Sequence, residues 1–290
     1  MKPNDTPTQG AEKRPVPGIA QPAPGIAQQA HGIALNHLAI GYAARHGSAR
    51  IVAQGLEAEA LPGQLTCLVG GNGVGKSTLL RTVAALQKPL EGSVSIDGQR
   101  TDVLSAAQRA QQVAVVLSAT PHLPHTTIGR LVAMGRAPYT GFWGRLSDAD
   151  QAACTEALQQ VGIEHLRHRL LDEVSDGERQ KATIARALTQ HTPAIVLDEP
   201  TAFLDYPSKA AVMALLRRLA IEGQRTVLLS THDLGLALQL AHRLWVMTDK
   251  GLVQGPPTQL AADGTLKRFI DSDLLSLDAA SLTIRMKGVQ

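Results

Sequence analysis

The feature that most constrains this chain is a glycine-rich loop, GGNGVGKST, at Gly70–Thr78. It fits the phosphate-binding pattern G-x-x-x-x-G-K-[ST], in which glycines let the backbone fold closely around phosphate oxygens. The apolar run Leu65–Val69 before the loop predicts a buried strand, and Leu79–Leu86 after it has helical spacing. The helix would begin at the loop with its positive end towards the anion, Lys76 on the β- and γ-phosphates and Ser77 on Mg²⁺. The other loop residues predicted to bind the nucleotide are Gly70, Asn72, Gly73, Gly75 and Thr78.

A second apolar run, in AIVLDEPTAFLD at Ala194–Asp205, ends in two carboxylates. Ligands of open α/β sheets bind at the carboxyl ends of the strands, so these carboxylates are expected beside the phosphate loop. Asp198 is predicted to hold Mg²⁺ directly or through water, and Glu199 to polarise the attacking water as a general base. The alternative is a strand followed by an N-capping acid. His232 follows the strand-like run Arg225–Ser230 at the same edge; it is expected to hydrogen-bond the γ-phosphate, an ordinary surface histidine being the alternative.

The segment VSDGERQKATIARAL, at Val174–Leu188, predicts another helix that begins at an anion-binding end. Ser175 and Gly177 stand at that end, where backbone N–H groups are free to bind phosphate. A plain N-cap is the alternative interpretation. Two phosphate-binding helix ends so far apart in one chain are explained by a head-to-tail homodimer. In such a dimer each helix closes over the nucleotide on the other copy's loop.

Composition and charge exclude several classes of protein. At 290 residues with 44% hydrophobic residues, the chain has enough apolar surface for a core and is near the upper limit for a single one. A formal net charge of +3 does not indicate a nucleic-acid partner, and no apolar run approaches the roughly 18 residues of a membrane span. Cys67 and Cys154 lack metal-ligand spacing, and Cys67 is expected to be a buried free thiol. The N-terminus has no secretory pattern, so a cytoplasmic soluble protein is expected.

The domain organisation follows from composition and periodicity. Residues 1–34 are proline-rich, with the repeats PVPGIA, QPAPGIA and QQAHGIA, and are predicted to be a disordered tail. Residues 35–265 are predicted to form the globular domain, with a helical part at about 119–190, and 266–290 a C-terminal extension. Helical patterns separate the central strands, so a parallel sheet with right-handed crossovers is expected. The predicted strands are Leu35–Ala44, Ala49–Ala60, Leu65–Val69, Gly92–Ile96, Gln112–Leu117, Pro193–Leu197, Arg225–Ser230, Leu244–Met247, Gly251–Val253 and the edge strand Ser281–Arg285.

With these motifs in place, residues 35–265 resemble the ATP-binding subunits of ABC transporters. GGNGVGKST is similar to the family's Walker A motif, AIVLDEP to Walker B with the catalytic Glu199, and VSDGE to the signature usually written LSGGQ. FLD is similar to the D-loop, which assigns Asp205 to the nucleotide site, and His232 falls at the switch histidine. The resemblance implies an α/β P-loop NTPase fold with a central mostly parallel sheet, an antiparallel β subdomain and a helical subdomain. It also implies ATP and Mg²⁺ as ligands.

Further resemblances are more local. Tyr42, in the sequence IGY, falls where the family stacks an aromatic ring on adenine, a core tyrosine being the alternative. Leu131–Asp150 resembles a segment of the iron-siderophore, haem and vitamin B12 importer ATPases, which reads as a Gly-Arg-x-Pro-Tyr stretch, a loop and a Ser/Thr-x-x-Asp helix start. Ser147 with Asp150 is expected to form a variant capping box there.

The chain departs from the family pattern at three positions. Asp176 replaces the first glycine of the signature and Glu178 replaces its glutamine, which adds negative charge near the expected γ-phosphate. This charge would weaken closure unless Arg179 or Lys181 offsets it. Ser118 stands where the Q-loop glutamine is expected; its hydroxyl can reach Mg²⁺ or water but cannot span the same gap.

The predicted function is ATP hydrolysis that powers a bacterial importer of a metal chelate, namely an iron-siderophore, haem or cobalamin. Two copies would sandwich two ATP molecules and push on integral-membrane permease subunits at the cytoplasmic face of the inner membrane, with a substrate-binding protein as an indirect partner. The permease contact is expected between residues 118 and 145, where His122, His125 and Tyr139–Trp143 are predicted to be exposed; metal binding by these histidines is the alternative. Other possible functions are a soluble ABC-type ATPase acting on DNA or ribosomes, which the lack of a heptad run and the single phosphate loop disfavour, and a nucleotide-binding regulator without turnover.

Overall fold

A computed structural model of the protein describes residues 32–43, 48–118, 123–141 and 144–288. Its strands are β1 (Ile33–Tyr42), β2 (Arg50–Ala60), β3 (Leu65–Gly70), β4 (Glu91–Ile96), β5 (Gln99–Arg100), β6 (Val113–Val116), β7 (Ala194–Leu197), β8 (Thr226–Ser230), β9 (Arg243–Thr248), β10 (Gly251–Gly255), β11 (Leu275–Asp278) and β12 (Thr283–Met286). Its α-helices are α1 (Lys76–Val83), α2 (Ala106–Gln112), α3 (Ile128–Ala133), α4 (Asp148–Val161), α5 (Asp176–Thr189), α6 (Tyr206–Gly223), α7 (Leu234–Leu240), α8 (Pro257–Ala262) and α9 (Thr265–Ile270). Across the described ranges, every helix is too short or too polar to cross a lipid bilayer.

A six-stranded sheet in the order β10-β9-β3-β8-β7-β6 forms the centre of the molecule. The five strands from β9 to β6 pair in parallel, and β10 adds an antiparallel edge. Both faces of this sheet are covered, since alternate residues of β3 contribute to two separate apolar clusters. Cys67, on one of these faces, is a fully buried free thiol as predicted, and burial raises its pKa. The predicted, mostly parallel α/β architecture is confirmed.

A second, antiparallel sheet in the order β2-β1-β4-β5 lies beside the first. Strand β1 begins two residues before the predicted domain boundary, because Ile33 is buried and pairs with Ala60 and Ile96. The end of the predicted tail at residue 34 is therefore corrected to before residue 33, while residues 1–31 lie outside the described residues. The indole N–H of the buried Trp245 donates to the carbonyl of Glu59 at 3.2 Å, which ties the two sheets together.

Helices α3, α4 and α5 form the helical subdomain, inserted between β6 and β7 as predicted. The Gly-Arg-x-Pro-Tyr stretch packs against α5 within this subdomain. A Cβ on Gly135 would lie 2.1 Å from the carbonyl oxygen of Arg186, so α5 can approach this closely only beside glycine. The nearly buried guanidinium of Arg136 donates to Asp150 Oδ1 at 2.7 Å and to the carbonyl of Thr189 at 2.7 Å.

Asp150 also belongs to the capping box that the sequence predicts at the start of α4. Its backbone N–H donates to the Ser147 hydroxyl at 3.2 Å, and its Oδ2 accepts the Ser147 N–H at 2.9 Å. Hydrogen bonds from the Ser147 hydroxyl and backbone, followed by that from Arg136, lower the pKa of Asp150 to about 2. One carboxylate therefore caps α4 and anchors Arg136.

One element differs from the sequence prediction, and one predicted strand is found in a hairpin of its own. Residues 106–112 form α2, which begins at a Ser105 capping box, so Gln112 ends a helix and the following strand starts at Val113. The predicted edge strand Ser281–Arg285 is observed as β12, which pairs with β11 in a separate hairpin. The amide of Gln239 in α7 donates to the carbonyls of Ser281 and Leu282 and holds this hairpin against the domain.

Candidate functional site

The phosphate loop connects β3 to α1, and its shape depends on glycine at two points. Gly75, immediately before α1, has a φ of 114°, a conformation that side-chain-bearing residues rarely adopt. A Cβ at this position would also lie 2.5 Å from Val52 Cγ1. A Cβ on Gly70 would lie 2.6 Å from the carbonyl oxygen of Met247 in β9. The strand, loop and helix predicted from the motif are all present.

Lys76, the first residue of α1, reaches back over the loop. Its Nζ donates to the carbonyl oxygens of Gly70 at 2.9 Å and Gly71 at 3.0 Å, and the residue is only 5% exposed. Burial lowers the pKa of this amine, while the nearby charges of Glu199 and Asp198 act in the opposite direction. The ammonium group thus lies at the mouth of the loop, where phosphate oxygens can replace the carbonyls as acceptors.

Asp198 follows β7 and lies almost buried at 4% exposure. Its Oδ1 accepts hydrogen bonds from the Ser230 hydroxyl at 2.8 Å and from the Ser77 hydroxyl at 3.2 Å. The Asp198 N–H donates to the Val116 carbonyl at 2.8 Å, which continues the pairing of β7 with β6. Because β7 and β8 are parallel neighbours, their carboxyl ends meet at one edge, next to the start of α1.

Glu199 and His232 form a pair at the same edge. Glu199 Oε1 lies 2.6 Å from His232 Nε2, and both side chains are partly exposed. Glu199 has a φ of 52°, and its N–H donates to the Ser230 hydroxyl oxygen at 2.9 Å. A carboxylate fixed in this way can accept a proton from a water molecule, while the imidazole orients it. A left-handed backbone at a non-glycine residue is a strained arrangement of a kind that clusters at functional sites.

One cleft of about 400 Å³ brings Lys76, Ser77 and the Glu199–His232 pair together. Tyr42 lies at its rim with 46% of its surface exposed, and its hydroxyl shares a hydrogen bond of 3.1 Å with Thr78 Oγ1. The exposed ring excludes the alternative of a core tyrosine and leaves Tyr42 free to contact a ligand. The cleft is lined by Tyr42, Arg50, Val52, Asn72, Gly73, Gly75, Lys76, Ser77, Thr78, Glu199 and His232.

The predicted signature residues lie at helix starts outside this cleft. Ser175 caps α5, with its hydroxyl accepting the N–H of Glu178 at 3.3 Å. Asp205 caps α6 by accepting the N–H of Ser208 at 3.0 Å. The two helix starts are neighbours, since a Cβ on Gly177 would lie 3.6 Å from Ser208 Oγ. These residues take no part in lining the cleft of their own chain, so their contact with nucleotide stays a prediction.

The region expected to contact the permease is described in part. Ser118 is exposed two residues after the end of β6 and is not among the residues that line the cleft, so its link to Mg²⁺ stays a prediction. His125 is exposed at a φ of 56°, and the Tyr139 hydroxyl donates to the Gln190 carbonyl at 2.8 Å. His122 and the residues 142–143 at the end of the Tyr139–Trp143 loop lie outside the described residues.

Sequence reasoning missed three residues of the site. The Ser230 hydroxyl donates to the Asp198 carboxylate and accepts the backbone N–H of Glu199. The signal that could have found Ser230 is a polar residue that ends an apolar strand just before His232. Arg50 and Val52 line the cleft without belonging to a motif. They reach it because β2 pairs with β1, with Arg50 opposite Tyr42, and such a pairing cannot be deduced from residue spacing.

The residues at this edge fit a magnesium ion that is shared with a nucleotide. The Ser77 hydroxyl and the Asp198 carboxylate are hard oxygen donors, and Mg²⁺ is commonly held by one or two carboxylates together with substrate phosphates. Over the described residues, no group of three or more His, Cys, Asp and Glu side chains could hold a metal ion by itself.

Comparisons with known proteins place the chain among ATP-binding cassettes. The ABC transporter family model matches residues 53–202, which include the phosphate loop and both carboxylates. The achromobactin transport ATP-binding protein CbrD of Dickeya dadantii is 35% identical over 238 residues, 81% of this chain and 86% of that protein. The ferric enterobactin transport ATP-binding protein FepC of Escherichia coli is 33% identical over 78% of this chain and 84% of its own. The hemin import ATP-binding protein HmuV of Streptomyces coelicolor is 36% identical over 80% of this chain and 82% of its own.

Solved structures show the same fold. The dimeric structure of MJ0796, a bacterial ABC transporter cassette, has a TM-score of 0.66 and 26% identity, covering 78% of this chain and 98% of that one. The ADP conformation of MJ1267, an ATP-binding cassette of an ABC transporter, has a TM-score of 0.72 at 19% identity, covering 82% of this chain and 98% of that one.

Proposed function

The chain belongs to the ABC transporter family as an ATP-binding, ATP-hydrolysing subunit, and we propose that it powers import of a metal chelate by ATP-driven closure of a homodimer. Achromobactin, ferric enterobactin and hemin occur in the names of relatives that are 33% to 36% identical to it. An iron-siderophore or haem is therefore the favoured cargo. Cobalamin is the third chelate that the sequence resemblance includes.

The observation that carries this proposal is the convergence of an ammonium, a buried carboxylate and an exposed carboxylate–imidazole pair on one edge of the sheet. Lys76 would bind the β- and γ-phosphates of ATP, and the loop glycines would present their N–H groups to the same oxygens. Ser77 and Asp198 would hold Mg²⁺, which supplies neutralisation of phosphate charge. Tyr42 would stack on the adenine ring.

Hydrolysis follows from the position of the Glu199–His232 pair. Glu199 would accept the proton of the attacking water as the water oxygen bonds to the γ-phosphorus. The bond from that phosphorus to the oxygen bridging it to the β-phosphate breaks, and ADP and phosphate leave. His232 holds the Glu199 carboxylate at 2.6 Å and lies on the side of the cleft where the γ-phosphate is expected. Phosphoryl transfer is accelerated mainly by positioning and charge stabilisation, and Lys76 would supply part of that stabilisation.

A second copy would complete the site. The Ser175 and Asp205 helix starts do not line their own cleft, and the relative MJ0796, at 26% identity, is described as a dimeric cassette. We expect each Ser175–Gly177 end to close over the γ-phosphate on the other copy. The closing dimer would move two integral-membrane permease subunits at the cytoplasmic face of the bacterial inner membrane, and a substrate-binding protein would deliver the chelate to them.

The test is transport by a reconstituted system. Permease subunits from the neighbouring reading frames are placed in vesicles with this chain, and uptake of radioactive iron-siderophore or haem is measured with ATP on the cytoplasmic side. We expect uptake with the natural chain and none with Glu199→Gln, a variant that keeps the size of the side chain. Equal uptake with both, or an ATPase rate that does not respond to the permease, would contradict the proposal.

A further inference from the structure

The first turn of α5 carries two carboxylates, Asp176 and Glu178, at the end that the proposed dimer turns towards a triphosphate. Without these two carboxylates, this helix start would be well suited to bind an anion. Helix starts leave backbone N–H groups without partners, and within the described residues the N–H groups of Asp176 and Gly177 make no hydrogen bond. Two added negative charges oppose this attraction, so binding of ATP there depends on how each carboxylate is paired and where it is held.

The Glu178 carboxylate is held within the capping box. Its Oε2 accepts the N–H of Ser175 at 2.9 Å and the hydroxyl of Ser175 at 2.8 Å. These hydrogen bonds from the Ser175 backbone and hydroxyl lower the pKa of Glu178, with smaller contributions from the charges of His165 and Lys181. The Glu178 carboxylate is therefore ionised and hydrogen-bonded to Ser175, while Asp176 carries the second negative charge of this turn.

Arg179 balances Asp176, and the chain holds Arg179 in place. Its Nη1 donates to Asp176 Oδ1 at 2.8 Å. Its Nε donates to the carbonyl of Leu171 at 3.1 Å, and its Nη2 lies 3.5 Å from the carbonyl of Val174. All three guanidinium nitrogens are therefore engaged, two of them by the turn that precedes α5. An arginine fixed by the backbone loses less conformational freedom in an ion pair than a free surface arginine does.

We infer that Arg179 is a positioning residue, which neutralises Asp176 and holds its carboxylate aside so that the signature helix can close on the γ-phosphate of ATP bound to a second copy. The inference rests on the proposed function, since the phosphate concerned belongs to the other copy's site. The pair removes the charge of Asp176 from the helix start, so the attraction of the two free N–H groups and the helix dipole for an anion is opposed by one negative charge fewer. Arg179 acts through Asp176 and not on the phosphate itself.

The inference is tested by separating the loss of Arg179 from the release of Asp176. Arg179→Gln is made in the natural chain and in Glu199→Gln, alone and together with Asp176→Asn. Steady-state ATPase gives kcat and KM, and analytical ultracentrifugation with Mg-ATP gives the ATP concentration at which Glu199→Gln dimerises. Arg169→Gln is the matched control, because Arg169 forms a similar exposed pair with Glu173, at 3.9 Å, in the preceding segment.

We expect Arg179→Gln to raise the ATP concentration needed for dimerisation by about five- to tenfold and to lower kcat similarly. Near a surface, the repulsion between the uncompensated Asp176 carboxylate and a phosphate weakens binding by about this factor. Adding Asp176→Asn should restore both values to within about twofold, and Arg169→Gln should change neither. A double variant as impaired as Arg179→Gln would mean that Arg179 is merely structural, and would overturn the inference alone. If Glu199→Gln never dimerises with Mg-ATP, the proposed function fails and this inference falls with it.

Discussion

Replacing Ser230 by alanine removes a hydroxyl that forms hydrogen bonds with both Asp198 and Glu199. This fully buried hydroxyl donates to Asp198 Oδ1 at 2.8 Å and accepts the N–H of Glu199 at 2.9 Å. A hydrogen bond to a charged group contributes about 1.5 to 3 kcal/mol, and one between neutral groups about 0.5 to 1.5 kcal/mol. We therefore expect Ser230→Ala to lower the free energy of unfolding by about 2 to 4 kcal/mol. Because Asp198 and Glu199 lose their fixed positions, ATPase activity should fall at least about tenfold, each tenfold being about 1.4 kcal/mol of barrier.

Urea unfolding followed by circular dichroism gives the stability change, and phosphate release gives the rate. The matched control is Thr66→Val in β3, the strand beside β8. Thr66 is as buried as Ser230, but its hydroxyl oxygen has no hydrogen-bond partner within the described residues. Removing it should leave stability unchanged or slightly raised. The reasoning is refuted if Ser230→Ala unfolds within about 0.5 kcal/mol of the natural chain, the range of an ordinary surface substitution, and keeps its activity.

Three further changes have definite expected outcomes. Asp150 has its pKa lowered from 3.8 to about 2, so its contribution to stability is complete above about pH 4 and is lost as the pH falls through 2; urea unfolding should show the natural chain and Asp150→Asn converging over that interval. Gly75→Ala places a Cβ at a φ of 114° and 2.5 Å from Val52, so we expect a loss of about 1 to 3 kcal/mol in urea unfolding and severe loss of ATP binding by fluorescence titration. Deleting residues 1–30 spares β1, which begins at Ile33, and should leave the ATPase rate unchanged, whereas a deletion that includes Ile33 should destabilise the antiparallel sheet.

Much of the site was predictable because local patterns specify it. The phosphate loop must follow a strand and open a helix, and Asp198 must end a buried strand, so both positions follow from sequence alone. The parallel order of β3, β8 and β7 then brings the predicted residues Lys76, Asp198 and His232 to one edge. The capping box at Ser147 also follows from residue spacing and is confirmed, while the Ser175 box was expected only as a plain N-cap.

What could not be predicted depends on pairing over long distances in the chain. Ser230 acquires its role only because β7 and β8 are neighbours, and Arg50 reaches the cleft only through its pairing opposite Tyr42. The choice of Arg179 over Lys181 as partner of Asp176 depends on carbonyls in the preceding turn, which position the guanidinium. Alternation predicted a strand near residue 283, but its pairing with β11 and the contact of this hairpin with Gln239 could not be read from the sequence.

The central claim is that ATP is bound through Lys76 and hydrolysed through Glu199 in the cleft at this sheet edge. The most direct test compares the natural chain, Lys76→Ala and Glu199→Gln by equilibrium binding of radioactive ATP and by single-turnover release of phosphate. We expect Lys76→Ala to lose binding, and Glu199→Gln to bind ATP as tightly as the natural chain while releasing phosphate at least about a hundredfold more slowly, as loss of a general base entails. ATP bound as tightly by Lys76→Ala, or phosphate released at the natural rate by Glu199→Gln, would contradict the account.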